Sequence, residues 1–107
     1  MNVDEYNAQV AANMSEAQLQ RLVMALAAAC GWTLRYHTHD SRRSDKGFPD
    51  CVFLRGERLV FAELKSQKGR VRPEQVLWLD ALRDSTAEAY LWRPSDWLAG
   101  DCERVLQ

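Results

Sequence analysis

The stretch that decides the fold is residues 47–65, GFPDCVFLRGERLVFAELK. Two apolar runs, CVFL and RLVFAEL, are rich in β-branched and aromatic residues, and Arg55, Gly56 and Glu57 separate them. Runs of that composition about a glycine turn read as a β-hairpin. Three charged residues sit where a buried hairpin should have none: Asp50 opens the first strand, and Glu63 and Lys65 close the second. Antiparallel pairing brings the start of one strand beside the end of the other, which makes Asp50 and Glu63 neighbours. Strand alternation puts Glu63 and Lys65 on one face. Two carboxylates in contact repel, and one takes up a proton unless a cation lies between them. The hairpin therefore raises the expectation of a bound cation.

Polar segments flank the hairpin on both sides. THDSRRSDKGFP (residues 38–49) precedes it, and a polar loop of that length in a compact domain tends to be functional or mobile. SQKGRVR (residues 66–72) follows it. The net charge of −1 hides an asymmetry: residues 41–72 hold nine Lys/Arg against four acids, and the rest of the chain holds five against eleven. Bases gathered around an acidic cluster suggest an anionic partner. The plainer alternative is a solvated basic loop.

Further out, Ser15 and Gln18 form a capping box, and Leu19, Leu22, Val23, Leu26 and Cys30 follow at helical spacing until Gly31 stops the helix. Glu16 projects from the first turn on the core-facing side, where a carboxylate is either a helix-dipole residue or a group that reaches the hairpin's acids. WTLRYH (residues 32–37) alternates like a strand, with Trp32, Leu34 and Tyr36 on one face. Pro73 suits the first position of a second helix, with Glu74 in the first turn and Val76, Leu79 and Leu82 as its apolar stripe. EAYLW (residues 88–92) reads as a short strand broken at Arg93-Pro94, and Ser95 can cap a final helix from Asp96-Trp97. Residues 1–13 show little periodicity and read as an N-terminal arm, ahead of one domain over 14–107. The order is helix, three strands, helix, strand, short helix, an α/β fold with a mixed sheet.

A chain of 107 residues has room for one modest core, and 47% hydrophobic with 27% charged content is that of a globular protein. The longest apolar run, LVMALAAAC (residues 22–30), is too short to span a bilayer, so no membrane partner is expected. The N-terminus lacks the basic segment of an export signal. Cys30, Cys51 and Cys102 are odd in number and form no CxxC pair, which fits small thiols in a reducing cytoplasm. Trp78, Trp92 and Trp97 read as core or interface residues.

Asp50, Glu63 and the backbone carbonyl of Leu64 together offer hard oxygen ligands. Such donors suit Mg²⁺ or Mn²⁺, which keep several waters and bind through one or two carboxylates plus substrate phosphate. Zinc would need His or Cys at a spacing absent here. A divalent ion of this kind binds a phosphate oxygen and acidifies a bound water. Lys65 could position or deprotonate that water, or stabilise developing negative charge. These residues equip a site for metal-assisted phosphodiester hydrolysis.

The pattern Pro49-Asp50 followed by Glu63-Leu64-Lys65 resembles the signature of the PD-(D/E)XK nuclease superfamily. The wider set, Gly47-Phe48-Pro49-Asp50 with Glu63-Leu64-Lys65, Gly69 and Pro73-Glu74-Gln75, resembles the VRR-NUC family of virus-type replication-repair nucleases more closely. The likeness runs from Ser15 to about Trp97 and includes the αβββαβ order. It implies a minimal PD-(D/E)XK fold, a mixed central sheet flanked by helices, in a stand-alone nuclease of bacteriophage type. It further implies Asp50 and Glu63 as metal ligands with the Leu64 carbonyl, Lys65 as catalytic lysine, Gln75 as the glutamine facing the site, and Glu16 as the first-helix acid. Gln75 could instead be an ordinary residue of a helix N-terminus. Under this resemblance Arg42, Arg43 and Lys46 contact DNA phosphates irrespective of base sequence, with Lys68, Arg70 and Arg72 on the opposite loop. His37 and His39 could touch metal or phosphate, or be structural.

The function expected is a divalent-metal-dependent endodeoxyribonuclease acting on branched DNA such as four-way junctions, in a bacterial or phage-infected host cytoplasm. Two symmetric cuts require two sites, which implies a homodimer. A less selective DNA nickase or genome-processing nuclease is the alternative within enzymes. A catalytically idle nucleic-acid-binding module with the same fold is the alternative outside them, and an intact Asp50, Glu63 and Lys65 argue against it.

Overall fold

The computed structural model describes residues 1–38 and 45–107. The hairpin forms as its composition dictates. Strand β2 (Cys51–Arg55) pairs antiparallel with β3 (Arg58–Leu64), Cys51 opposite Ala62 and Arg55 opposite Arg58. Gly56 closes the turn at φ +59°, in the left-handed region that other residues resist. On one side β1 (Leu34–His37) adds antiparallel to β2, and on the other β4 (Glu88–Trp92) runs parallel to β3. The mixed sheet has the order β1-β2-β3-β4. A parallel neighbour needs a crossover, and α3 (Pro73–Arg83) supplies it.

Helix α2 (Glu16–Ala29) starts where its capping box places it: Gln18 N–H donates to Ser15 Oγ at 3.0 Å and Ser15 N–H to Gln18 Oε1 at 2.8 Å. Its Leu19, Val23 and Ala27 are fully buried over Cys51, Phe53, Val60, Ala62 and Leu64 of the hairpin. At about 1.5–3 kcal/mol for each fully buried Val, Leu or Phe, this face carries most of the stability and leaves the other free to hold charge. On that second face Phe48 meets Phe61 edge-on at 6.0 Å and Trp78 of α3 at 5.1 Å. Gly47 adopts φ +87°, and a Cβ there would lie 2.5 Å from the Glu74 carbonyl oxygen, so the GFPD segment rests directly on the backbone of α3.

The structure differs from the sequence reading at both ends. Residues 1–13, read as an arm, contain helix α1 (Val3–Asn13), capped by Asn2, whose side chain accepts Glu5 N–H at 2.8 Å. The helix packs against α4 (Pro94–Leu98), and that docking supplies the burial its weak periodicity hid. Helix α4 begins at Pro94 with Arg93 as N-cap, not at Asp96 with Ser95, because the Asp96 carboxylate accepts Arg93 N–H at 2.7 Å. A further helix, α5 (Asp101–Leu106), follows Gly100 and buries Cys102 and Leu106. Trp32 lies ahead of β1 and is buried, its Nε1 donating to the Leu106 carbonyl at 2.8 Å, while Leu34 and Tyr36 stay exposed. Trp92 is buried; Trp78 and Trp97 are half-buried. Among the described residues no helix is long and apolar enough to cross a membrane.

Candidate functional site

The register places a row of residues across one end of the sheet. His37 pairs with Cys51 and Cys51 with Ala62, so the next row brings together Thr38, Asp50 and Glu63. Alternation turns that row away from the main core. Thr38 N–H donates to the Asp50 carbonyl at 2.9 Å, which extends the ladder by one residue. The Asp50 carboxylate accepts Leu64 N–H at 2.8 Å through Oδ2. Asp50 is thereby fixed across the two strand ends. The N–H and C=O of one strand residue point to the same side, so the Leu64 carbonyl opens toward Asp50 as well. Lys65 N–H turns the other way, to the Trp92 carbonyl at 3.0 Å.

Burial sets the electrostatics. Glu63 is only 1% exposed and Lys65 8%. Among the described residues Glu63 Oε2 has no hydrogen-bond partner. Burial first, then a hydrogen bond to Asp50 and its negative charge, push the Glu63 carboxyl well above the usual range, with Lys65 opposing. An isolated buried carboxylate is costly enough that it neutralises unless a cation joins it. Glu16, at the start of α2, is exposed, yet partial desolvation and then Asp50 raise it too, against Lys65 and Arg72. Five charged side chains from three elements and their loops therefore act on one another.

They share a cleft of about 650 Å³ lined by Glu16, Thr38, Lys46, Asp50, Glu63, Lys65, Arg72 and Gln75 among others. Gln75 lies on the first turn of α3, where its Oε1 accepts Arg72 N–H at 2.9 Å. Gln75 caps its helix and also lines the cleft. Lys46 Nζ stands 3.5 Å from a Glu74 carboxylate oxygen. Lys68 and Arg70 are exposed on the loop after β3 and do not line the cleft. His37 faces the α2 side of the sheet, away from the cleft lining. Arg42, Arg43 and His39 lie outside the described residues.

Two contributors escaped the sequence reading. Thr38 lines the cleft with a buried Oγ1 that has no hydrogen-bond partner among the described residues. It sits between the two histidines that drew notice, and only its position opposite Asp50 marks it. Arg93 Nη1 donates to the carbonyls of Ser66, Gln67 and Gly69 at 2.8, 3.2 and 2.9 Å. It thereby shapes the basic loop that carries Lys68, Arg70 and Arg72. A strand-ending Arg-Pro gives no hint of that role.

The cleft offers the donors a divalent cation takes. Asp50, Glu63, Glu16 and the Leu64 carbonyl are all hard oxygen donors, and the orphaned Glu63 Oε2 is a buried acceptor lacking a donor. Among the described residues no three His, Cys, Asp or Glu side chains close around one point. Oxygen donors of this kind suit an ion that keeps several waters and takes one or two carboxylates from the protein.

A mixed sheet flanked by helices, with a buried glutamate and lysine beside an aspartate at the end of its central hairpin, is compatible with a compact nuclease fold. The chain matches the VRR-NUC domain over residues 4–95, most of its length, and it belongs to that family. The family indicates a nuclease-type function on DNA, and such domains typically use divalent metals. No curated protein and no solved structure matches the chain.

Proposed function

We propose that this domain is a Mg²⁺- or Mn²⁺-dependent endodeoxyribonuclease that hydrolyses phosphodiester bonds in branched DNA, four-way junctions in particular, as a homodimer. The observation that carries the reading is the burial of Glu63 and Lys65 beside Asp50 on the floor of an open cleft. Charges are not buried together for stability alone, since apolar replacements generally serve a core as well or better.

Asp50, Glu63 and the Leu64 carbonyl would hold the metal, with Glu16 as a further acid from α2. When bound, the ion supplies Lewis acidity to a phosphate oxygen and makes a water nucleophilic near neutral pH. Lys65 lies on the face of Glu63 and either orients that water, takes its proton, or stabilises the negative charge that grows on phosphate. The water oxygen bonds to phosphorus, the bond to the leaving sugar oxygen breaks, and the proton lost by water is balanced by one gained at the leaving oxygen. With its Oε1 engaged by Arg72 N–H, Gln75 meets the phosphate with its NH₂ group. Arg42, Arg43, Lys46, Lys68, Arg70 and Arg72 grip neighbouring phosphates without reading bases.

Two features support the finer parts. Leu34 and Tyr36 of β1 and Leu54 of β2 are exposed, and Leu34 is in register with Leu54. That apolar face at the sheet edge suits a second copy of the chain, which would bring a second site for the opposite strand. The free thiols of Cys30, Cys51 and Cys102 suit a reducing cytoplasm, bacterial or that of a phage-infected host. The test is a comparison of labelled four-way junction, flap and linear duplex with Mg²⁺, Mn²⁺ or EDTA. The junction is expected to be cut in preference to duplex, only with metal. Equal cutting in EDTA overturns the mechanism, and equal rates on all substrates overturn the selectivity.

A further inference from the structure

A second groove, of about 490 Å³, runs between α2 and the edge strand β1. Its helix side is built from Ala17, Ala25 and Ala28, whose small side chains leave a recess, together with Gln20, Arg21 and Met24. Its strand side is Arg35 and His37. No Asp or Glu lines it among the described residues, although acids outnumber bases in the whole chain.

The strand side is the informative part. Arg35 and His37 are in register with Phe53 and Cys51, which are fully buried beneath α2, so they occupy the core-facing positions of β1. The opposite positions, Leu34 and Tyr36, are apolar and exposed. Arg35 is itself exposed and His37 half-buried, so β1 turns polar groups toward α2 that stay open to solvent. Arg35 Nη1 donates to the Trp32 carbonyl at 2.9 Å, which orients the group and leaves most of its five N–H donors available. Among the described residues neither Arg21 nor Arg35 takes part in an ion pair.

The groove lies on the α2 side of the sheet and comes next to the cleft at two points of the chain. Ala17 follows Glu16 and His37 precedes Thr38, and both Glu16 and Thr38 line the cleft. From Ala17 to Ala28 the helix advances about 16 Å, which matches the rise of roughly five nucleotides of one strand. We propose that this groove is a nucleic-acid backbone site, in which Arg21 and Arg35 contact the phosphates of a DNA arm leaving the cleft. The proposal rests on the nuclease reading above and extends its footprint to the far side of Glu16, away from the Lys46 and Arg72 side. Guanidinium groups suit this task because they match phosphate bidentately and stay charged at all working pH values.

The test is equilibrium binding of a fluorescently labelled four-way junction in EDTA, followed by anisotropy between 50 and 200 mM salt. The proteins are wild type, the double variant Arg21→Gln/Arg35→Gln, and Arg21→Lys/Arg35→Lys, with thermal melting to confirm folding. Each phosphate contact contributes about 0.9 to the slope of log K against log salt. The Gln variant is expected to flatten the slope by about 1.8, and the Lys variant to restore it. Single-turnover cleavage at saturating protein should stay near wild type, so the loss appears in KM and not in kcat. An unchanged slope in the Gln variant overturns the proposal, and so does a loss confined to kcat. Binding of a poly-glutamate tract that responds to the Gln variant when DNA does not would assign the groove to an acidic protein partner and also overturn it. Metal-dependent cutting by wild type with an unchanged slope removes the groove alone; a wild type that neither binds nor cuts DNA removes the reading beneath it as well.

Discussion

The Asp50 carboxylate accepts the Leu64 backbone N–H at 2.8 Å, which ties the start of β2 to the end of β3 beside the buried Glu63. An asparagine can accept the same bond through Oδ1 while carrying no charge. Asp50→Asn should therefore fold with an unchanged or higher Tm, because a repulsion with Glu63 is gone, and should lose metal-dependent cleavage. Melting curves and a cleavage assay on the same sample check this. A variant that melts much lower would show that the charge itself supports the fold.

Glu63 gives a pH signature. Its folded-state pKa is raised by burial and by Asp50, so the folded protein holds that proton more tightly than the unfolded chain. The stabilisation is complete below the unfolded value near 4.5 and drains away as pH rises through the folded value. In EDTA, the Tm of wild type should thus fall between pH 5 and pH 8, apart from the contributions of other groups. Glu63→Gln should flatten the curve in that window. A wild-type Tm that climbs across the window, unaltered by the substitution, contradicts the account.

Metal should reverse that loss. A cation that binds the folded state alone stabilises it by about 2.7 kcal/mol at a hundredfold excess over Kd. Mg²⁺ or Mn²⁺ should raise the Tm more at pH 8 than at pH 6, since deprotonation of Glu63 prepares the site. The shift should vanish in Glu63→Gln. Differential scanning fluorimetry against metal concentration measures both.

Gln75 has two roles that substitution can separate. Gln75→Ala removes the side-chain acceptor for Arg72 N–H, which costs about 1 kcal/mol of helix stability, and removes its amide from the cleft. Gln75→Glu keeps the acceptor and adds a negative charge beside the acids. The first should lose stability and activity together, the second activity alone. Equal activity in Gln75→Glu and wild type would reduce Gln75 to a cap.

What the sequence revealed and withheld follows from the range of the interactions involved. The hairpin, the Ser15 capping box and the Pro73 helix start are local patterns, and their chemistry survives in any context. The neighbourhood of Asp50 and Glu63 was legible because antiparallel register follows from a short turn. Thr38 was not, since its place beside Asp50 depends on how β1 pairs across a long connection. Helix α1 carried a readable cap at Asn2 and acids at Asp4 and Glu5, but its packing on α4 lies some 80 residues away in sequence. Helix α5 is six residues long, and only Gly100 at φ +84° marks its start. Glu16 and Gln75 fall between these cases: the sequence placed each on a first helical turn, and tertiary packing brought both to the cleft.

Gly47 is the backbone counterpart of these side chains. Its φ of +87° and the contact a Cβ would make with the Glu74 carbonyl leave no room for another residue. Gly47→Ala should destabilise by about 2–4 kcal/mol, the sum of left-handed strain and displacement of α3. Urea denaturation gives the value, and a change below about 0.5 kcal/mol would mean that the loop docks on α3 less closely than described.

The most direct measurement is single-turnover cleavage of a labelled four-way junction by wild type, Asp50→Ala and Lys65→Ala, at protein concentrations where anisotropy shows equal DNA occupancy. With Mg²⁺ or Mn²⁺ the wild type should cut, and each variant should be slower by about a thousandfold while binding with similar affinity. Cutting by wild type in EDTA, or undiminished cutting by either variant, would contradict a metal-dependent reaction centred on the hairpin.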